Sequence, residues 1–418
     1  MSEEGNARVS RRYVALDIHK HYGVIAGVDR EGRVLLAPVR VEHADLEDWL
    51  KESLCSSDWV VIESTTNAWH VYDLLEPLAE KVLVANPIQV KQIANARVKT
   101  DIRDTLILAR LLAANLVPVV WVPPAHVRQM RQLLSQRRQL VETHTQIVNR
   151  MHSVAHRYHL DHARGKRFNE KNTVWQKDKI LSKVEQFQLE LEMENRAYIE
   201  KQIARIGKEV AKMSQKSPWA ESMLYLMQLP GFGVITAMTA LAAIGEIQRF
   251  ESCRHLASYS GLTPGLEQSG TKNRGKGLTK EGRKELRWAM VEVAQRAVKS
   301  DPVWKLRFQE LQKRMHRNQA IVAIARQLLE LVWFVLTRRQ PYRHFSHERI
   351  AYKYLTWAWQ MDEETRDGLT RQQFARYYLM RLGIGHDLTR IALDPKHPRK
   401  LASEAEVLTL RPELNHIE

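Results

Sequence analysis

Four carboxylates stand where a carboxylate is costly unless something pairs with it. Asp17 lies in the apolar run YVALDI, Glu63 closes the apolar run WVVIE, and Asp101 and Asp104 sit three apart in VKTDIRDTLILARLL. A charge within or at the end of a buried strand carries a desolvation cost that a cation can offset. Residues three apart on a helix share a face, so packing that helix beside the two strands would bring all four carboxylates together. Such a set suits two hard divalent cations, which activate an attacking oxygen and stabilise the leaving one in phosphodiester cleavage. Plainer roles stay open for each residue. Asp17 could pair with His19 or Lys20, Glu63 could cap a helix, and Asp101 and Asp104 could be first-turn residues or pair with Arg97 and Arg103.

The stretch SYSGLTPGLEQSGTKNRGKGLTKEGRKELR carries a second chemistry. From Ser269 to Arg287 the basic residues Lys272, Arg274, Lys276, Lys280, Arg283, Lys284 and Arg287 face only Glu281 and Glu285, with glycines at 270, 275, 277 and 282. A flexible, basic, glycine-rich loop leading into a helix can wrap a phosphate backbone. Ser269 heads it, and a serine hydroxyl becomes nucleophilic only beside a base, cations or a metal. A serine before glycine is also an ordinary turn residue, and Ser258 and Ser260 are weaker alternatives. Upstream, LMQLPGFGVITAMTALAAIG places Gly231 and Gly233 between two apolar helical runs. That pattern predicts a helix-hairpin-helix, whose glycines let helix-start N–H groups approach a phosphate, or else a tight corner without a ligand.

The elements that must position these residues follow from periodicity. Residues 13–40 alternate short apolar runs with turns, a meander of strands. WVVIE, the helical run after it, KVLVANP and a helix predicted over Gln89–Asn115 make an α/β unit, a mixed sheet with helices on it, with a Pro-rich boundary near 126. Residues 127–215 read as long charged helices forming a coiled-coil arm, residues 216–338 as an all-α unit, and residues 339–418 as a tail with no functional reading. The uncharged run Ser222–Gly245 is long enough to span a bilayer, but Pro230, Gly231 and Gly233 cut it into two soluble helices.

Composition narrows the partners. Sixty-four Lys plus Arg against 48 Asp plus Glu give +16, which favours a polyanion, DNA or RNA, over an acidic small molecule. Cys55 and Cys253 lack the short spacing of a metal site, and no signal peptide or lipidation motif is visible, so a reducing cytoplasm and no membrane are expected.

The order of Asp in YVALDIHK, Glu in VIEST and Asp-x-x-Asp in KTDIRD resembles the DEDD transposases of the IS110 insertion-sequence family, relatives of the Piv invertases. After the Glu, many members read A-T-G where this chain has Ser64-Thr65-Thr66-Asn67. Gln268-Ser269-Gly270 with its basic run resembles the same family's C-terminal transposase domain. The resemblance covers roughly residues 13–338. It implies an RNase H-like, RuvC-like domain over 1–126 in which Asp17, Glu63, Asp101 and Asp104 bind Mg2+, in two ions. It further implies that Ser269 becomes covalently joined to DNA, and that a structured guide RNA pairs with donor and target DNA. A homo-oligomer, dimer or tetramer, is expected through the arm.

Overall fold

The computed structural model describes residues 11–93, 100–158, 181–269, 272–342, 344, 346–393 and 397–416. The side chains of residues 266–276, which include those of Ser269, Lys272, Arg274 and Lys276, lie outside the described part. The chain divides into two units, Met1–Pro123 and Pro124–Glu418.

In the first unit, β1 (Tyr13–Ile18), β2 (Tyr22–Val28) and β3 (Val34–Glu42) form the antiparallel meander. A helix, α1 (Leu46–Ser53), leads to β4 (Trp59–Glu63), and α2 (Ala68–Leu75) leads to β5 (Lys81–Ala85). These last two strands run parallel to β1, giving the sheet order β3-β2-β1-β4-β5. Strands covered on both faces read as continuous apolar runs, which is why YVALDI and WVVIE lack a polar alternation. Val14, Leu16 and Ile18 pack with Leu50 of α1 and Val71 and Leu75 of α2. The opposite face, with Tyr13, Ala15, Val61 and Ala85, packs with Leu108, Ala109 and Leu112.

Those last residues belong to α4 (Asp101–Ala113), which is separate from α3 (Pro87–Ile93). The single helix expected over Gln89–Asn115 is therefore two. Thr100, with extended backbone, is the N-cap of α4 and its hydroxyl accepts from the Arg103 N–H at 3.3 Å. A side-chain acceptor at that point satisfies the helix-start donors and defines a new helix.

The second unit begins with α5 (Ala125–Arg157) and α6 (Lys183–Met213). They pack antiparallel: His144 meets Glu200 at 2.9 Å, while Arg157 meets Glu185 at 3.7 Å. Ile147, Met151, Val154 and Leu189 fill the seam. Next come α7 (Trp219–Gln228), α8 (Val234–Ile244) and α9 (Cys253–Ser260). After a two-stranded hairpin follow α10 (Lys284–Ser300), α11 (Pro302–Gln312) and α12 (Arg317–Arg338). A helix apolar all round belongs at the centre of a core, and α8 is buried along nearly its whole length. α12 is long and apolar enough to cross a membrane, but half of its most apolar window is buried within the fold.

Residues after Arg338 also fold: α13 (His347–Ala358) and α14 (Arg371–Arg381) dock on the α6–α7 junction. Trp357 Nε1 donates to Ser214 Oγ at 2.9 Å, Tyr354 OH to Leu224 O at 2.8 Å and Tyr378 OH to Gln215 Oε1 at 2.7 Å. Lys353 Nζ donates to Leu229 O, and burial pushes its ammonium down to about 7.

Candidate active site

Strand periodicity carries the carboxylates to one face. Tyr13 and Ala15 face the α4 side, and Asp17 is the next residue in that alternation. β1 and β4 are in parallel register with Ala15 opposite Val61, so Glu63, two residues on, emerges on the same face as Asp17. α4 lies on that face and begins at Asp101, which brings its acidic first turn to the ends of β1 and β4.

At the centre lies His19. Its Nε2 is 3.2 Å from Asp17 Oδ2 and 3.3 Å from Asp101 Oδ2, and single ligand atoms of the three residues all fall within 4.8 Å of one another. Tyr22 OH donates to Asp101 Oδ2 at 3.0 Å, and the Tyr22 ring stacks on His19 at 4.7 Å. The His19 carbonyl accepts from His43 Nε2 at 2.9 Å and Asn67 Nδ2 at 3.4 Å. The Ser64-Thr65-Thr66-Asn67 turn thus ties back to the site. Asn67, not Glu63, is the N-cap of α2.

Burial raises the Asp17 carboxyl above its ordinary range; the His19 contact opposes this, and the negative charges of Asp101 and Asp104 add to it. Glu63 is raised by burial first, then by Asp17 and Asp104, against Lys91. The four carboxylates therefore share one electrostatic field, although only Asp17 and Asp101 join His19 in the close cluster. The Nε2 of His19 is shielded from solvent and, among the described residues, has no aligned hydrogen-bond partner despite its two acidic neighbours. Two carboxylate oxygens around such a nitrogen are a donor set that fits a divalent cation.

This arrangement has a pH signature. Because the folded pKa values of Asp17 and Glu63 exceed the ordinary 3.8 and 4.5, the folded chain holds protons that the unfolded chain has lost. Their stabilising contribution is full below the ordinary values and is lost as pH rises through the raised ones. In chelator, the melting temperature of the wild type should fall across that window relative to Asp17→Asn/Glu63→Gln. Magnesium should flatten the difference. A wild-type melting temperature that does not fall relative to the variant as pH rises, or a fall that magnesium leaves unchanged, contradicts the arrangement.

In the second unit the glycine-rich segment is an ordered ladder rather than the open loop expected. β6 (Pro264–Ser269) pairs antiparallel with β7 (Lys272–Leu278), with Ser269 opposite Lys272 as the last pair. A ladder satisfies the backbone of a segment with little side chain to bury. Its foot is tightly built: a Cβ on Gly282 would lie 2.2 Å from Tyr259 O, and Arg287 Nη1 donates to Ser260 O at 3.0 Å and Lys280 O at 3.2 Å. Arg283 is half-buried near Glu285, at 3.8 Å. Ser260 is buried with its hydroxyl donating to Ala257 O at 2.7 Å, whereas Ser258 is exposed.

Between α7 and α8, Gly231 has φ +81°, and a Cβ there would lie 2.2 Å from Val293 O. The Gly233 N–H donates to Thr236 Oγ1 at 2.9 Å at the start of α8. Gly231→Ala should cost at least about 2 kcal/mol in thermal or denaturant unfolding, from left-handed backbone strain and a backbone clash. An unchanged midpoint would mean that the turn relaxes freely.

Sequence reasoning left His19 undecided and missed Tyr22 and Lys91. Tyr22 had a signal: the short turn after β1 puts it opposite the end of that strand, on the face of Asp17.

The profile of the Transposase IS116/IS110/IS902 family matches residues 223–309, and a DEDD transposase profile of the IS110 type matches residues 14–160. The transposase for insertion sequence element IS1111A of Coxiella burnetii is 26% identical over 337 residues, covering 79% of this chain and 91% of that protein. The pilin gene-inverting protein of Moraxella bovis is 27% identical over 306 residues, covering 69% and 83%.

Proposed function

Because this chain belongs to the IS110 family of insertion-sequence transposases, we propose that it cuts and rejoins DNA strands with two groups of residues. Asp17, Glu63, Asp101 and Asp104 hold divalent cations, two Mg2+ ions, and Ser269 is the nucleophile. The observation that carries this reading is the convergence of Asp17 and Asp101 on His19, with Glu63 and Asp104 in the same field. A bound divalent cation supplies Lewis-acid polarisation of the scissile phosphate and charge neutralisation of the leaving oxygen.

The chain's own residues do the rest. The Ser269 hydroxyl attacks phosphorus, a P–Oγ bond forms and the P–O3′ bond breaks. The serine proton leaves to solvent as the P–Oγ bond forms, and the departing 3′-oxygen takes up a proton from solvent. The 5′ side stays attached as a phosphoserine ester, so a 3′-hydroxyl from another strand can attack it in turn and release the serine. Lys272, Arg274, Lys276, Lys280, Arg283 and Arg287 hold the backbone phosphates around this step. The first-turn amides of α8, reached past Gly231 and Gly233 in a helix-hairpin-helix, make a sequence-blind phosphate contact.

In this proposal residues 1–126 form an RNase H-like catalytic domain and 127–215 a coiled-coil arm. Residues 216–338 form the transposase domain, and 339–418 brace it. The arm joins copies of the chain: Val184, Phe187, Leu191 and Tyr198 recur at heptad-like spacing on α6 and all are exposed. A structured guide RNA supplies target choice by base pairing, and the protein works in the bacterial cytoplasm.

Incubation with magnesium, DNA carrying the element's ends and a target tests the reading. Recombinant junctions found by sequencing support it. Simple cleavage without junctions favours a resolvase-like nuclease that uses the carboxylates alone.

A further inference from the structure

Three guanidinium groups and a phenol gather at the C-terminal end of α8, at the foot of the β6–β7 hairpin. From α5, Arg131 donates through Nε to Ala242 O at 2.7 Å and through Nη2 to Ala243 O at 3.0 Å. Tyr259 OH donates to Ala243 O at 3.3 Å, and Arg249 Nε donates to Ile244 O at 2.9 Å with its Cζ 4.3 Å from the Tyr259 ring centroid. Arg283 follows Gly282, and its backbone N–H donates to Tyr259 O at 2.9 Å. All four residues are only partly buried, and Arg283, Tyr259 and Arg249 are near enough to Arg131 to act on its charge.

Helix capping accounts for part of this group. The C-terminus of a helix carries about half a negative charge, which one cation answers. Arg131 and Arg249 already exceed that, and Arg283 makes no bond to the α8 carbonyls. Among the described residues the Arg283 Nε has no hydrogen-bond partner, and Glu285 lies 3.8 Å away. Burial first, and then the positive charges of Arg283 and Arg249 against Tyr259 and Glu285, push the Arg131 guanidinium down to about 10. Like charges fixed this close raise the free energy of the unbound protein, and a polyanion lowers it again.

We propose that Arg131, Arg249 and Arg283, with Tyr259, form a phosphate-binding site that grips the sugar–phosphate backbone of a nucleic-acid strand at the foot of the hairpin bearing Ser269. The site rests on the nucleic-acid reading above but adds residues from α5 and from the segment before α9. Its work is to anchor the strand at the end of the hairpin opposite Ser269, about 17 Å along the ladder. Arg131 and Arg249 are held rigid by helix carbonyls, so little side-chain freedom is lost on binding. The contact is sequence-blind, as backbone contacts are.

The test uses the full chain and two fluorescein-labelled probes of mixed sequence, a DNA duplex and an RNA hairpin, titrated at several salt concentrations. Arg249→Gln/Arg283→Gln should weaken binding of at least one probe about ten-fold at physiological salt and lower the magnitude of its salt slope by about 0.9 for duplex, or about 0.7 for single-stranded contacts. A change confined to one probe assigns the phosphate to DNA or to RNA. Thermal melting separates a binding role from a structural one. Without nucleic acid, Arg283→Gln should melt at or above the wild type, because repulsion is relieved, and Arg283→Lys should keep most of the binding. Unchanged affinity and salt slope for both probes in Arg283→Gln would overturn this site and leave the transposase reading intact. Failure of the wild type to bind either probe would overturn both.

Discussion

Asp17→Asn is expected to lower recombinant yield at least about a thousand-fold while the protein stays folded. Asparagine keeps the shape of the side chain and removes its charge. In the wild type that charge is held in place against burial and against Asp101 and Asp104, with His19 as its close partner. In the proposed mechanism the use of that carboxylate is to hold a divalent cation. Two readouts must therefore move in opposite directions. Activity collapses, because a ligand is lost. Stability in chelator at neutral pH holds or rises, because a desolvated carboxylate among carboxylates is gone. Magnesium should raise the melting temperature of the wild type and do so far less in the variant. A variant that unfolds without losing its response to magnesium would assign Asp17 a structural pairing role with His19 instead.

Ser269→Ala is expected to abolish the covalent protein–DNA adduct on denaturing gels and to lower recombination by about ten-thousand-fold or more, since the proposed carrier of the strand end is removed. The substitution falls on the last pair of a two-stranded ladder, so the melting temperature should stay close to that of the wild type. Ser258→Ala on the exposed side of α9 is the control, and should keep the adduct. Persistence of the adduct in Ser269→Ala would sink the serine mechanism and turn attention to Ser258. Loss of the adduct together with retained cleavage would point to hydrolysis by the carboxylate set.

Much of the first unit was legible beforehand because its signals are local. The apolar runs around Asp17 and Glu63 mark strands buried on both faces, and the strand meander follows from turn residues such as Asp29 and Gly32. The helix over Gln89–Asn115 was misjudged because apolar periodicity continues on both sides of Thr100, while a single capping hydroxyl decides where α4 begins. The hairpin at 264–278 was missed for a different reason. Glycine and lysine speak for flexibility in composition, and only pairing across the ladder makes a strand of them.

Residue types and two periodicities by themselves determined that Asp17 and Glu63 end buried strands, that Asp101 and Asp104 share the first face of a helix, and that a basic segment follows Ser269. Tertiary structure decided what these residues meet. The parallel pairing of β1 with β4 sets Glu63 beside Asp17, the return of β2 brings Tyr22 and its stacked partner His19 to Asp101, and helix packing gathers Arg131, Arg249 and Arg283 from three distant segments. The physical reason is range. Alternation and helical period act over a few residues and are written in them, whereas contacts between segments exist only once burial of apolar faces has chosen which elements lie side by side.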